Sequence, residues 1–137
     1  MTKTRLVKWF LIIMLASMLF ACDQTTTTTD AGYDYDDFTS ITVYDKYQQL
    51  NMADGTYYLY FFGTWCSHCE SIKQTVLYTI DHLENDKVFL VSVTSTASIL
   101  PGIDVTDTPS LVQVTDHEVV AIHVGTDPVL ECLAGLS

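Results

Sequence analysis

Two of the chain's four cysteines, Cys66 and Cys69, are separated by two residues and follow a tryptophan in the stretch FFGTWCSHCESIKQ. Cysteines at this spacing serve three kinds of chemistry: thiol–disulfide exchange, one half of a metal site, or a structural crosslink. The C-x-x-C motif alone does not distinguish them. The choice among the three chemistries therefore depends on the elements around the pair and on the compartment of the protein.

The residues on either side of the pair have the patterns of a strand and a helix. Residues 56–62, TYYLYFF, form an unbroken apolar run, which is typical of a strand covered on both faces. From Cys66 to about residue 83 the apolar residues recur at helical spacing. The pair therefore lies where a buried strand meets the first turn of an amphipathic helix.

The remaining patterns complete an alternation of strands and helices. A brief strand or turn leads into an expected helix around residues 44–50. Beyond the cysteine helix we expect a second buried strand at residues 87–93, followed by a loop. We then expect a hairpin with strands at residues 110–115 and 119–124, and a final helix at residues 127–136. This order indicates an α/β domain with an active loop at the carboxyl end of a central strand.

With these elements the chain resembles the thioredoxin family. YLYFFGTWCSHC is similar to that family's strand entering a Trp-Cys-x-x-Cys turn, and IDVTDTPSLVQVTDHEVVAIHVG is similar to its cis-proline, hairpin and glycine. The resemblance covers residues 44–136. It implies a thioredoxin-like fold with a central mixed sheet flanked by helices, and thiol–disulfide exchange with protein cysteines and no cofactor. It also implies that Thr108–Pro109 is the cis-proline pair and that Gly125 closes the second hairpin strand.

Within this resemblance the two cysteines have different expected roles. Cysteines at positions i and i+3 of a first helical turn lie on one face and can close a small disulfide ring. Unpaired amides and the helix dipole favour a thiolate at Cys66, which is therefore the expected nucleophile. Cys69, one turn inside the helix, is the expected resolving thiol. A merely structural crosslink is disfavoured because so small a ring restricts the unfolded chain little.

Four further residues are expected to shape the site. His68 stabilises the Cys66 thiolate and hence the reduced form, which makes the couple more oxidising. Histidine at this position resembles the disulfide isomerases and periplasmic disulfide oxidases. Trp65, Thr108 and Pro109 are expected to flank Cys66 and form a groove for an extended peptide, with a cis bond leaving the Thr108 backbone free to pair with it.

Tyr60 departs from the family pattern. Many thioredoxins carry a buried aspartate six residues before the first cysteine, where it helps to move the proton of the resolving thiol. A phenol, with a reference pKa of about 10, is a poor base near neutral pH. The proton must then pass to water, His68 or Glu70, and we expect slow turnover as a reductase.

Two other functional classes remain open. A metal-binding or metallochaperone lipoprotein could use Cys66, Cys69 and a histidine, but zinc normally takes four ligands and the sequence has no second C-x-x-C or close histidine pair. A redox-inactive adaptor could keep the fold only to bind a partner, although the presence of both cysteines argues against it. No metal site is predicted, and Cys132 is expected to be a buried free thiol.

The first 21 residues have the pattern of a lipoprotein signal peptide. An apolar run at residues 9–20 follows three basic residues, Lys3, Arg5 and Lys8. As a helix this run spans about 18 Å, less than the roughly 30 Å hydrocarbon core of a bilayer. The stretch LFAC resembles the lipobox of bacterial lipoproteins, in which the cysteine is lipidated. We therefore expect lipidation at Cys22 and a protein anchored to the extracytoplasmic face of the cell membrane.

The sequence after Cys22 is strongly acidic. All 17 acidic residues lie beyond Cys22 and only three basic ones do, which leaves a net charge of −14 with histidine neutral. Such a surface repels phosphates, so a nucleic-acid partner is not expected. Residues 22–37 are expected to be a Thr- and Asp-rich tether and residues 38–137 the thioredoxin-like domain. The expected partners are exported proteins with cysteines and an unidentified redox partner.

Lipidation of Cys22 predicts a specific processing defect. We expect labelled lipid on the wild-type protein. We expect Cys22→Ala to accumulate as the unprocessed precursor, because the signal peptide is cleaved only after the cysteine has been acylated. Metabolic labelling and intact mass measure both effects. Equal masses and equal extraction from membranes for the two proteins would contradict the lipid anchor.

Overall fold

The computed structural model describes residues 32–84, 87–94 and 105–136, apart from the side chain of Lys46. The chain divides into two units, and all described residues belong to the second, Gly32–Ser137. The expected signal peptide, Cys22 and most of the expected tether lie outside the described residues. Ten residues of the predicted loop before Pro109, 95–104, also lie outside them.

The described residues form four strands, two α-helices and two short 3-10 helices. The 3-10 helices, Tyr35–Ile41 and Lys46–Asn51, precede all strands. The remaining elements are β1 (Thr56–Phe62), α1 (Ser67–Asp81), β2 (Val88–Ser92), β3 (Ser110–Thr115), β4 (Glu118–Val124) and α2 (Thr126–Ala134). The predicted order of strand, helix, strand, hairpin and helix is therefore confirmed.

The strands form one mixed sheet in the order β2-β1-β3-β4. β1 pairs in parallel with β2 and antiparallel with β3, and β3 and β4 form the predicted hairpin. Every residue of β1 except Thr56 is buried. Its aromatic run therefore occupies the centre of the sheet, and the predicted thioredoxin-like architecture is confirmed.

Alternate residues of β1 belong to two separate apolar cores. Tyr58, Tyr60 and Phe62 pack in one core with apolar residues of α1 and α2, and this core also contains Cys66 and Cys69. Tyr57, Leu59 and Phe61 pack in the other core, against Val43 and apolar residues that follow the second 3-10 helix. Because the period of a strand is two, one continuous aromatic run supplies both cores.

The helix predicted around residues 44–50 is a 3-10 helix of six residues, Lys46–Asn51. Asp45 caps it by accepting a hydrogen bond from the Tyr47 amide at 2.9 Å. Gln49 is buried, and its carbonyl oxygen accepts a hydrogen bond from the Tyr57 hydroxyl at 2.7 Å. The Leu50 carbonyl oxygen also bonds His117 Nδ1 at 2.8 Å. A length of six residues is typical of 3-10 geometry, which occurs in short pieces. The brief strand predicted before it is a single parallel bridge between Thr42 and Leu90.

Tyr33, five residues before the expected start of the domain at Phe38, already packs on α1. Its amide donates to Gln74 Oε1 at 2.8 Å, and its carbonyl oxygen accepts from Gln74 Nε2 at 2.8 Å. Its hydroxyl donates to Asp81 Oδ2 at 3.0 Å. The segment before Phe38 is thus attached along two turns of the helix that carries the cysteine pair.

Candidate active site

The cysteine pair is presented by a turn that joins β1 to α1. β1 ends at Phe62, and the Cys66 amide donates to the Gly63 carbonyl oxygen at 3.1 Å. A Cβ atom on Gly63 would lie 2.8 Å from the indole ring of Trp65. Only glycine therefore lets the indole pack against the backbone here. Trp65 itself is 53% exposed beside this turn.

Cys66 is the N-cap residue of α1 and is bonded to Cys69 in a disulfide. Its Sγ accepts a hydrogen bond from the Cys69 amide at 3.1 Å, and the two Cα atoms are 5.3 Å apart. An amide of the first turn that points at sulfur stabilises negative charge there. Cys66 retains 6% exposure and Cys69 only 1%. Cys66 is thus the cysteine whose thiolate the helix start stabilises, and it is the more accessible of the two.

The loop before β3 brings Thr108 and Pro109 beside Cys66. The peptide bond between them is cis. The Thr108 carbonyl oxygen lies 3.3 Å from Cys66 Sγ, a distance at which the thiol of the reduced form can donate to it. The Pro109 carbonyl oxygen accepts from the Gly125 amide at 2.8 Å, and Gly125 has a φ of 97°, which favours glycine. Gly125 thus ties the end of β4 to the loop at the site.

The backbone of Thr108 is less free than expected. Its amide donates to the carboxylate Oδ1 of Asp107 at 2.8 Å, and the Ser110 hydroxyl donates to the Asp107 carbonyl oxygen at 2.6 Å. A short acidic side chain satisfies a nearby backbone amide in this way when the chain turns. The C-x-x-C and Thr-Pro motifs do not single out Asp107, although an aspartate just before Thr-Pro is a recognisable turn signal.

His68 lies across a small cavity from this loop. The cavity has a volume of about 230 Å³, and His68, Asp107, Thr108, Pro109, Val124, Gly125 and Thr126 line it. His68 is exposed in the first turn of α1. Trp65 is not among the residues that line the cavity. The structure thus brings His68, Thr108 and Pro109 together, and Trp65 lies outside that group.

Tyr60 lies in the helix-facing core together with the cysteines and is fully buried. Burial raises the pKa of Tyr60 far above its ordinary value, so the phenol stays protonated. The Tyr35 hydroxyl is a polar neighbour of the Tyr60 hydroxyl, and neither oxygen makes a hydrogen bond of regular geometry within the described residues. Tyr60 therefore supplies no base beneath the disulfide.

Lys73 forms a charge cluster one turn beyond Cys69. Its Nζ lies 2.9 Å from Glu70 Oε1 and 3.5 Å from Asp34 Oδ2, and 5.9 Å from the centre of the Tyr35 ring. The hydrogen bond to Glu70 is the main cause that raises the pKa of Lys73. Glu70 is the only acidic residue in the first turn of α1. The negative charge of Glu70 near the cysteines is thus offset by the positive charge of Lys73.

Cys132 is a free, half-buried thiol on α2. Burial raises the pKa of Cys132, which lowers its thiolate fraction at neutral pH. Within residues 32–84, 87–94 and 105–136, no group of three or more His, Cys, Asp or Glu side chains is arranged to hold a metal ion. The same residues include no helix of the length and apolarity needed to cross a membrane.

Comparison with known proteins agrees with this geometry. Residues 39–134 match the family model described as thioredoxin. The chain belongs to the thioredoxin family. Its fold is similar to that of oxidised mitochondrial thioredoxin 3 from Saccharomyces cerevisiae, with a TM-score of 0.58 and 20% identity over 72% of this chain and 95% of that one. No functionally curated protein matches the sequence.

Two other solved structures share the fold. Fasciola hepatica thioredoxin has a TM-score of 0.56 and 21% identity, over 71% of this chain and 96% of its own. Thioredoxin f2 from Chlamydomonas reinhardtii has a TM-score of 0.57 and 15% identity, over 69% of this chain and 90% of its own. Family membership together with the Cys66–Cys69 disulfide supports thiol–disulfide oxidoreductase activity.

The two tyrosines Tyr57 and Tyr60 form a matched pair for a stability test. Both are fully buried in β1, on opposite faces. Tyr57→Phe leaves the buried Gln49 carbonyl oxygen without its donor, which we expect to cost about 1–3 kcal/mol of unfolding free energy. Tyr60→Phe removes a hydroxyl that lacks a regular hydrogen bond, and we expect a change within about 0.5 kcal/mol or a gain.

Denaturant unfolding of the oxidised variants measures this difference. The shared strand and identical atomic change make each variant the control for the other. A loss for Tyr60→Phe as large as that for Tyr57→Phe would show that the Tyr60 phenol makes a net stabilising hydrogen bond.

Proposed function

We propose that this protein is a membrane-tethered, extracytoplasmic thiol–disulfide oxidoreductase that exchanges disulfides with exported proteins through Cys66 and Cys69. The observation that carries the redox part is the disulfide at the N-terminus of α1, with Cys66 Sγ accepting the Cys69 amide. The tether is supported by the basic and apolar leader and by LFAC at residues 19–22. The metal-binding and adaptor alternatives have no specific observation in their favour.

The oxidised form reacts with a dithiol substrate in two steps. A substrate thiolate attacks the Sγ of Cys66, the more exposed of the two cysteines. The Cys66–Cys69 bond breaks, and Cys69 leaves as a thiolate that takes a proton. The second substrate thiolate then attacks the substrate sulfur bound to Cys66 and expels Cys66. The substrate gains a disulfide, and the protein accepts two electrons as a dithiol. The same steps in reverse reduce a substrate disulfide.

The cysteine pair needs an unidentified second redox partner for turnover, because each exchange leaves it in the opposite oxidation state. We place the substrates among exported proteins because disulfides persist in oxidising, extracytoplasmic compartments. A Thr- and Asp-rich tether whose surface repels anionic lipid would hold the domain away from the headgroups. This arrangement leaves the site open to folded or unfolded protein chains.

The preferred direction is disulfide donation or isomerisation. His68 is exposed in the first turn of α1, and the Cys69 amide points at Cys66 Sγ. Both favour the Cys66 thiolate, and a stabilised dithiol form makes a couple more oxidising. Tyr60 provides no buried base for the Cys69 proton, which weakens the case for efficient reduction.

The assigned roles of the cysteines predict an asymmetric trapping result. Cys69→Ala removes the thiol that resolves the first covalent intermediate, so we expect mixed disulfides between Cys66 and exported proteins. Cys66→Ala is expected to trap none, because the remaining Cys69 is only 1% exposed, compared with 6% for Cys66. Non-reducing gels of cells producing each full-length variant measure the adducts. Equal adducts from both variants, or none from either, would contradict this function.

The assigned role of His68 predicts a shift in reduction potential. We expect the wild-type couple on the oxidising side of thioredoxin's value of about −270 mV, and His68→Pro to be more negative by about 30 mV, which corresponds to about 1.4 kcal/mol. Proline is tolerated in a first helical turn, so the variant keeps the helix start. Equilibration of the full-length proteins with glutathione buffers measures both values.

His82→Gln is the control for His68, because His82 lies exposed at the opposite end of α1. It is expected to leave the potential unchanged. A wild-type potential at or below that of thioredoxin, unaffected by His68→Pro, would make the protein a reductase.

A further inference from the structure

The cavity beside the disulfide has the size of a single side chain. Its volume is about 230 Å³. Cavities that bind whole small molecules are larger, at roughly 300–1,000 Å³. It shares Thr108 with the reactive centre, and the Thr108 carbonyl oxygen is 3.3 Å from Cys66 Sγ. A polypeptide bound at Cys66 therefore passes the mouth of this cavity.

The charge at the cavity is negative. The Asp107 carboxylate is exposed at its edge, and one of its oxygens accepts the Thr108 amide. Within the described part of the chain no lysine, arginine or histidine makes an ion pair with Asp107. Lys73, the basic residue nearest in sequence to the cysteines, is held by Glu70 and Asp34. His68 also lines the cavity but makes no ion pair with Asp107, so the carboxylate has no ion-pair partner among the described residues.

We propose that this cavity is a subsite for a lysine or arginine side chain next to the reactive cysteine of the substrate. Asp107, which lines the cavity and is exposed, provides the charge that selects it. Val124 and Gly125 form an uncharged wall along which an aliphatic stem packs. The inference deepens the proposed function and rests on it, since it names the class of polypeptide that exchanges with Cys66. The selective residue is Asp107.

Two peptides that differ only in charge beside the cysteine test this selectivity. Each carries one cysteine, flanked on both sides by arginine or by glutamate, as a mixed disulfide with 2-mercaptoethanol. The reduced full-length protein reduces each peptide and becomes oxidised at Cys66 and Cys69, while peptide thiol and mercaptoethanol are released. Dithiothreitol, a small neutral dithiol, is run in parallel, because flanking charges alter the intrinsic reactivity of the peptide disulfide.

The measured quantity is the ratio of the arginine to the glutamate rate constant, divided by the same ratio for dithiothreitol. We expect this normalised ratio to exceed one for the wild type. Asp107→Asn keeps an oxygen that can accept the Thr108 amide, and we expect it to lower the ratio about two- to fivefold, the range of a partly exposed ion pair. Asp107→Lys is expected to invert the preference.

Asp116→Asn is the matched control. It removes the same charge at the β3–β4 turn, at the opposite end of β3 from the site, and asparagine tolerates the φ of 50° found there. It is expected to leave the normalised ratio unchanged. An equal decrease in Asp107→Asn and Asp116→Asn would assign the preference to the overall charge and overturn the subsite, as would no decrease in Asp107→Asn.

Reaction with 2-hydroxyethyl disulfide separates this inference from the proposed function. This neutral disulfide has no side chain for the cavity, and the reduced wild-type protein is expected to react with it. A wild-type protein that reacts with it but has a normalised peptide ratio of one overturns only the subsite. A wild-type protein that does not react overturns the oxidoreductase function, and the subsite with it.

Discussion

The N-terminus of α1 is capped by a sulfur atom, and the arrangement of the whole site depends on this contact. Cys66 Sγ accepts the Cys69 amide, is bonded to the Cys69 sulfur, and lies 3.3 Å from the Thr108 carbonyl oxygen. One atom thus ends the turn after β1, starts the helix and contacts the loop before β3. We expect the cap to remain after reduction, because an amide can donate to a thiolate as well as to a disulfide sulfur. Reduction therefore need not disturb the helix start.

The position of that sulfur is fixed by contacts on both sides of the sheet. β1 is buried on both faces, and the opposite cores contact its alternate residues. α1 is held from outside as well, because Tyr33 bonds Gln74 and Asp81, and Asp34 contacts Lys73. A helix held on two sides can keep its first turn in place while the bond at its tip breaks and forms. Rigid placement of the reacting atom is what exchange at one sulfur requires.

The sequence predicts the regular elements well and the irregular contacts poorly. The aromatic run of β1, the helical spacing after Cys66 and the hairpin before Gly125 depend on periodicity, which local sequence carries. The 3-10 helix at Lys46–Asn51 is contacted instead by hydrogen bonds from Tyr57 and His117, and the attachment of Tyr33 to α1 joins residues 41 positions apart. These two pairings depend on the folded chain, so composition and spacing do not reveal them. The Asp107 carboxylate at the Thr108 amide is by contrast a local contact, which the aspartate just before Thr-Pro signals.

The strong negative charge of the protein has different consequences at the sulfur and at the edge of the site. Exposed charges separated by more than about 8–10 Å are largely screened at physiological salt, so the distant carboxylates have little effect on the Cys66 thiolate. The nearby Glu70 is paired with Lys73, and the Cys69 amide donates directly to the sulfur. Asp107 has no such partner among the described residues and lies where a substrate must pass. Local contacts therefore govern the chemistry of the disulfide, whereas an uncompensated carboxylate governs which polypeptides approach it.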